Sequence, residues 1–225
     1  MKKMKSDQNT ETRDLLIDTA GRLIANNGLQ VTLRDIVASA GQSLGSIRYH
    51  FGNREGLLDA VAERASNGWR NNYTLINYIL ETGAELLKTP KGRREILRRA
   101  VDVFFHFINE SDQRPGWAVG FMIRVLNPAY PSSCRKKFIE RVAEPNRKSV
   151  NHLVLTLCPD LSPEEAEILN LNLFATPLFH YEMTYNPQKP VPFETKIPPS
   201  QFYIMVKESI VRNAWLVLEH VRKNG

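Results

Sequence analysis

Val31-Thr32-Leu33-Arg34-Asp35-Ile36-Val37-Ala38-Ser39-Ala40-Gly41-Gln42-Ser43-Leu44-Gly45-Ser46-Ile47-Arg48-Tyr49-His50-Phe51 is the stretch on which the fold turns. Thr32 with Asp35 three positions later has the form of a capping box, Asp standing in for the usual Glu. It opens a short helix that carries Leu33, Ile36 and Val37 and ends near Ala40 and Gly41. Ser43 then caps a second short helix, Leu44 to Phe51. Leu44, Ile47 and Phe51 share one face of it, while Ser46, Arg48, Tyr49 and His50 occupy the other. Two short helices about a glycine turn, the second apolar inward and polar outward, form the pattern of a helix-turn-helix.

Upstream, Leu16, Ala20 and Leu23, with Leu15, Thr19 and Ile24 beside them, fall at helical spacing between Thr10 and Asn27, and Gly28 supplies the stop. Met1 to Asn9, with Lys2, Lys3 and Lys5, is expected as a flexible basic tail. Downstream, Asn53 starts a long helix through Leu57, Leu58, Val61, Ala65 and Trp69. Further helices are expected at about 92–109, 117–126, 133–157, 163–183 and 200–222, and strand signals are absent. Ser162-Pro163-Glu164-Glu165 is the best-marked start: serine caps, proline suits the first turn and glutamate closes the box. Thr184 to Pro199 holds five of the chain's thirteen prolines, which forbids regular helix. The fold class is therefore all-α. Its parts are a tail at 1–9, a three-helix helix-turn-helix domain at 10–52, and a larger helical domain at 53–225.

The 225 residues are 42% hydrophobic and 24% charged, an ordinary globular composition far from disordered chains. No apolar stretch follows Lys2, Lys3 and Lys5, so a secretory signal is not expected. No run approaches the roughly 18 apolar residues that span a bilayer. The expectation is a cytoplasmic protein with no membrane partner. Cys134 and Cys158 are too few for a disulfide framework and too far apart for a CxxC pair, and read as buried or free thiols. The net charge of +6 suits a polyanionic partner. Residues 1–60, however, hold eight Lys or Arg against seven Asp or Glu. Any role with nucleic acid must rest on particular positions.

Those positions carry a resemblance. Val31 to Val37, and Ala40-Gly41-Gln42-Ser43-Leu44-Gly45-Ser46-Ile47-Arg48-Tyr49-His50-Phe51-Gly52-Asn53-Arg54-Glu55-Gly56-Leu57, resemble the TetR family of bacterial repressors over about the first 60 residues. The family pattern here is A-G-V-S-x-G-[ST]-[LI]-Y-x-[HY]-F-x-[NS]-K-E-x-L. The resemblance implies that Tyr49, His50 and Arg54 lie at a DNA surface, mostly on phosphates. Thr32 and Ser43, at helix N-termini, can offer hydroxyl and backbone N–H groups to phosphates, contacts that fix position without reading sequence. Arg48 stands where the family has Tyr, and an arginine fork there suits guanine O6 and N7. Gln42 replaces a usual Val and can read a base edge or a phosphate. The expected DNA-binding set is Thr32, Gln42, Ser43, Ser46, Arg48, Tyr49, His50 and Arg54. Each has a plainer reading too: a surface arginine is often only solvated, and Tyr49 or His50 can pack or cap.

The resemblance also implies that the last two long helices join two copies of the chain. Leu169, Leu173 and Thr176 on one, and Tyr203, Val206, Ile210, Asn213 and Val217 on the other, are the expected dimer residues. The same stripes would serve an intramolecular core equally well. An effector pocket is expected among Phe105, His106, Trp117, Phe121, Arg124, Asn127, Phe174, His180 and Tyr181, aromatic walls with a few polar groups, a description that fits many cores as well. Arg124, within the apolar run Phe121 to Leu126, pairs either with an acidic ligand group or with a carboxylate such as Asp102 or Glu182. The proline-rich 184–199 reads as a mobile cover or a dimer arm.

The functional expectation is a ligand-responsive transcription regulator, a repressor that binds a palindromic double-stranded DNA operator as a homodimer and is released by a small-molecule effector. The alternative is a helical ligand-binding or scaffold module whose helix-turn-helix only packs. No HExxH, P-loop, GxGxxG or GxSxG pattern is present, so neither an enzyme nor a cofactor is expected. A metal held by His106, His152 and His180 would need three helices to converge.

Overall fold

The computed structural model describes residues 2–67, 69–110, 115–127, 133–185 and 199–224. Among them every regular element is helical. In chain order these are α1 (Lys2–Asn27), α2 (Leu33–Ala40), α3 (Leu44–Phe51), α4 (Arg54–Ser66), α5 (Trp69–Thr82), a 3-10 turn (Leu86–Lys88) and α6 (Pro90–Glu110). They continue as α7 (Ala118–Leu126), α8 (Ser133–Phe138), a π-helical turn (Ile139–Ala143), α9 (Glu144–Leu157), α10 (Pro163–Tyr185) and α11 (Pro199–Asn224).

The chain divides into two compact units. One holds residues 1–67 and 112–143, the other 68–111 and 144–225. In the first, Leu16, Ile17, Ala20 and Ile24 of α1 are buried with Ile36 and Val37 of α2, Ile47 of α3 and Leu57, Leu58 and Val61 of α4. These are the inward residues of four helices, none of which can bury its apolar side chains alone. The unit does not end with the helix-turn-helix. Trp117 lies flat on Gly21 of α1, where a β-carbon would stand 2.5 Å from the indole, and Gly120 of α7 stands at Ala25. Small residues on α1 thus let α7 approach, a signal that apolar periodicity does not carry.

The second unit is a helical bundle. Leu97, Val101, Phe104, Phe105 and Ile108 recur along α6 at helical spacing and are buried. α6 shares a core with Ile76 and Leu80 of α5, Val150, Leu153 and Leu157 of α9, Leu169 and Leu173 of α10, and Ile210 and Trp215 of α11. The box expected at Ser162 is present: Glu165 N donates to Ser162 Oγ at 3.2 Å and Ser162 N to Glu165 Oε2 at 2.9 Å. Cys134 and Cys158 are buried and not joined in a disulfide.

Several expectations are corrected. Residues 2–9 are the first turns of α1 rather than a flexible tail. They contain neither Gly nor Pro, and extending an existing helix needs no new nucleation. The long helix from Asn53 stops at Ser66, and Trp69 begins α5. The expected 133–157 helix contains a π turn at Ile139–Ala143. The segment 184–199 lies outside the described residues except at its ends, which belong to α10 and α11.

Candidate nucleic-acid interface

The recognition element is built from its caps. Thr32 has extended backbone (φ −87°, ψ 162°) and its Oγ1 accepts from Asp35 N at 3.2 Å, while Thr32 N donates to Asp35 Oδ2 at 2.9 Å. The Thr32 hydroxyl also donates to Asp35 Oδ2 at 2.6 Å. Hydrogen bonds from the Thr32 side chain, then its backbone, hold the Asp35 carboxyl below the usual carboxylate range. Gly41 ends α2 in the left-handed region (φ 61°, ψ 32°), where an L side chain is strained. Its N–H and that of Gln42 close on Ala38 and Val37 carbonyls, and the chain turns directly into Ser43.

At the entrance of α3, Ser43 Oγ accepts from Ser46 N at 3.3 Å, and Ser46 Oγ lies 3.3 Å from Ser43 Oγ and 3.5 Å from Gln42 Oε1. Gln42, Ser43 and Ser46 are therefore one polar cluster. Gln42 is half-buried within it. Ile47 is buried and fixes the roll of α3, which leaves Arg48 and Tyr49 exposed, Tyr49 at 75%. His50 meets Tyr49 edge-on at 5.0 Å, and Asn9 of α1 donates to the Tyr49 hydroxyl at 3.5 Å. Arg13 lies over the Phe51 ring at 5.5 Å. No carboxylate occurs between Asp35 and Glu55, whereas Arg48 and Arg54 do.

Two positions differ from expectation. Leu44, expected inward, is 44% exposed. Helical side chains lean toward the N-terminus, so the first residue of α3 leans out over the turn instead of back onto the core. Arg54, expected on a phosphate, directs its Nη2 to the carbonyls of Leu29 and Val31 and so ties the start of α4 to the loop before α2. Those carbonyls follow a helix end and need donors, which sequence spacing does not reveal. Asn53 caps α4 through Gly56 N at 3.0 Å. At Gly56 a β-carbon would fall 2.0 Å from the Phe51 carbonyl oxygen, so glycine is required where α3 runs into α4. Asn9 and Leu44 join the candidate surface without having been expected there. Asn9 lies 40 residues from the tyrosine it contacts and is invisible to local reading.

The expected effector residues divide between the units. Trp117, Phe121, Arg124 and Asn127 belong to the first, where Trp117 and Phe121 are buried and pack edge to face at 6.0 Å. Phe105, His106, Phe174, His180 and Tyr181 belong to the second. There Phe105 and His180 meet at 6.0 Å, Phe174 packs against Phe104 and Trp69, and His180 stacks on Phe202 at 5.7 Å. Burial pushes the His180 imidazole below its ordinary pKa. Asp102, named as a partner for Arg124, receives Arg98 and Lys207. Among the described residues no three His, Cys, Asp or Glu side chains form a group that could hold a metal ion.

Of the expected dimer residues, Leu169, Leu173, Thr176, Val206, Ile210, Asn213 and Val217 line one groove between α10 and α11, whose volume is about 480 Å³. Leu169, Leu173 and Ile210 are also part of the bundle core, and Tyr203 packs on Phe105 at 5.2 Å. Ile168, Leu171 and Phe179 on α10, with Ile204, Met205, Leu216 and Val217 on α11, are large apolar side chains left exposed.

These features define the class: an all-α chain that opens with a capped helix-turn-helix and carries an exposed apolar helix pair near its end. Residues 16–61 match the family model described as bacterial regulatory proteins, tetR family, so this N-terminal segment is similar to the DNA-binding part of that family. No curated protein matches the chain. Among solved structures it is similar to AibR in complex with isovaleryl coenzyme A and operator DNA, at 12% identity and a TM-score of 0.55, over 89% of this chain and 96% of that one. This is a likeness of fold. It is also similar to a transcriptional regulator (TerR/AcrR family) from Aquifex aeolicus VF5, at 17% identity and a TM-score of 0.47, over 92% and 99% of the two chains. The multidrug binding protein EbrR complexed with imidazole is 18% identical, with a TM-score of 0.46, over 90% and 89%.

Proposed function

We propose that this protein is a ligand-responsive transcriptional repressor that binds a palindromic operator as a homodimer and leaves it when a small molecule binds. One observation carries the reading: α3 presents Arg48 and Tyr49 outward from a buried Ile47, with a half-buried His50 beside them, between caps at Ser43 and Asn53, in a stretch without carboxylates. Arg48 reads a guanine edge, and Tyr49, Thr32, Ser43 and Ser46 position the duplex through phosphates. Asn9 orients Tyr49. Gln42 adjoins the duplex from the turn, His50 supports the ring beside it, and Arg54 acts mainly by holding α4.

One eight-residue helix reads few bases, so a twofold pair reading half-sites about 10 bp apart, or a multiple of that, supplies the rest. The apolar side chains exposed on α10 and α11 support a four-helix interface between two copies. An effector that prefers a conformation with the two α3 helices wrongly spaced needs a coupling of only about 1–3 kcal/mol to release DNA. AibR, solved with both operator DNA and an acyl coenzyme A, is a precedent for one such fold engaging both kinds of ligand. Phe105, His106, Phe174, His180 and Tyr181, all within one unit, are the residues proposed to meet the effector. The reading assigns no catalytic step and places the protein in the cytoplasm with its DNA. Among the described residues no helix is long and apolar enough to cross a membrane.

The test is selection of bound duplexes from a random pool. Enrichment of an inverted repeat supports the proposal. Recovery of no enriched sequence at low salt overturns it and leaves a module whose helix-turn-helix only packs.

A further inference from the structure

The chain's excess positive charge is concentrated away from the helix-turn-helix. Between residues 88 and 99 stand Lys88, Lys91, Arg93, Arg94, Arg98 and Arg99 against the single carboxylate Glu95. The neighbouring carboxylates are already committed. Glu85 pairs with Lys88 at 2.7 Å, Glu95 with Arg98 at 2.8 Å and Arg99 at 3.0 Å, and Asp102 with Arg98 at 2.5 Å and Lys207 at 2.6 Å. Glu208 adds its field at Arg98. Lys91 and Arg94 are exposed and have no ion pair among the described residues. Arg93 folds back to donate to the Leu87 carbonyl at 3.3 Å, which brings one more permanent charge to the same turn.

These cations edge a groove of about 570 Å³ between the 3-10 turn, the start of α6 and α11. Lys91, Arg94 and Arg98 project from successive turns of one α6 face, and Leu86 and Val211 supply an apolar wall. The groove is preformed: at Gly92 a β-carbon would lie 2.0 Å from the Leu86 carbonyl oxygen, so the 3-10 turn is seated directly on the α6 backbone. Its size falls in the range of small-molecule sites, roughly 300–1,000 Å³. Like charges three and four residues apart destabilise a helix, and a bound anion would relieve them.

We propose that this groove binds a small soluble organic phosphate, with the phosphate held by Lys91 and Arg94 and an apolar group against Leu86 and Val211. Two donors one turn apart on one helix face can converge on a phosphate, and charge-assisted bonds are the strong ones. Glu208 on the α11 wall, together with Glu95, disfavours a polyanion that would run along the whole groove, such as duplex DNA. The site is independent of the operator reading and would stand if that reading failed.

Hexyl phosphate, inorganic phosphate and hexanol are the probes, titrated calorimetrically into the full chain and into a Lys91→Gln, Arg94→Gln double variant. Both residues are exposed, and unchanged helicity and melting temperature would verify the fold. The expected result is one hexyl phosphate per chain, bound about tenfold or more tighter than inorganic phosphate because the alkyl group is buried, with hexanol silent. The double variant should lose about tenfold in hexyl phosphate affinity while its affinity for duplex DNA stays unchanged. Equal hexyl phosphate affinity in the two proteins overturns the proposal. So does binding no tighter than that of inorganic phosphate, which would mean an adventitious ion only. A double variant with weakened, less salt-dependent DNA binding would overturn it too, by making the patch a contact for duplex.

Discussion

Arg48 carries the only full charge in α3, on a helix whose roll is fixed by a buried Ile47 and whose start is fixed by Ser43. Its neighbour Tyr49 is steadied by Asn9, and replacing that asparagine by alanine should weaken operator binding about equally for all sequences, since a tyrosine on a phosphate carries no base preference. Competition between the operator and scrambled duplex measures this. Gly56 permits no side chain: Gly56→Ala should cost about 1–3 kcal/mol in unfolding free energy, because the obstacle is the Phe51 backbone and not a movable side-chain end. Denaturant melts of the two proteins give that number. Glu95 is held at a pKa of about 2 by hydrogen bonds from Arg98 and then Arg99, against an ordinary 4.5. A carboxylate lowered on folding stabilises above its unfolded value and loses that contribution as pH falls through the folded one. The melting temperature of Glu95→Gln should therefore trail wild type at pH 7, with the gap closing between pH 4.5 and about 2. At this scale the sequence showed the caps, because a capping box is a local pattern. It hid the Arg54 bonds to Leu29 and Val31, which depend on chain brought together over 23 residues or more.

α4 and α8 are joined by a ladder in which Ser133 meets Glu55, Lys137 meets Asp59 and Arg141 of the π turn meets Glu63. Both helices contribute every fourth residue, so three polar contacts repeat in register. Exposed ion pairs of this kind contribute about 0–1 kcal/mol each and are screened by salt. Lys137→Glu should destabilise within that range, Asp59→Lys combined with it should restore the loss, and both effects should shrink in 1 M salt, as a double-mutant cycle in denaturant would show. Lys137 and Asp59 lie 78 residues apart, which is why this part of the first unit was not legible beforehand. Helices α2, α3 and α10 were legible because capping residues mark their starts, and α6 because apolar residues recur along it at helical spacing. The break between Ser66 and Trp69 was not, since Val61, Ala65 and Trp69 continue the spacing of one helix across it. Leu169, Leu173 and Ile210 have the spacing of an interface and of a core alike, and the structure buries them in the core. Periodicity names a face without naming what covers it.

For the whole molecule, the account requires two copies. Leu171 and Leu216 are 65% and 58% exposed on α10 and α11, and glutamate at both should yield monomers in sedimentation while leaving helicity intact. A monomer engages one half-site, so its operator affinity should fall on the order of 100-fold or more. The central claim is that α3 reads bases, and the measurement closest to it compares wild type with Arg48→Ala on the selected operator and on operators changed at single guanines. The account predicts that wild type discriminates at one guanine per half-site by about 1–3 kcal/mol, and that Arg48→Ala binds the operator and that altered site alike while keeping its affinity for scrambled duplex within a small factor. Discrimination that survives intact in Arg48→Ala would contradict it.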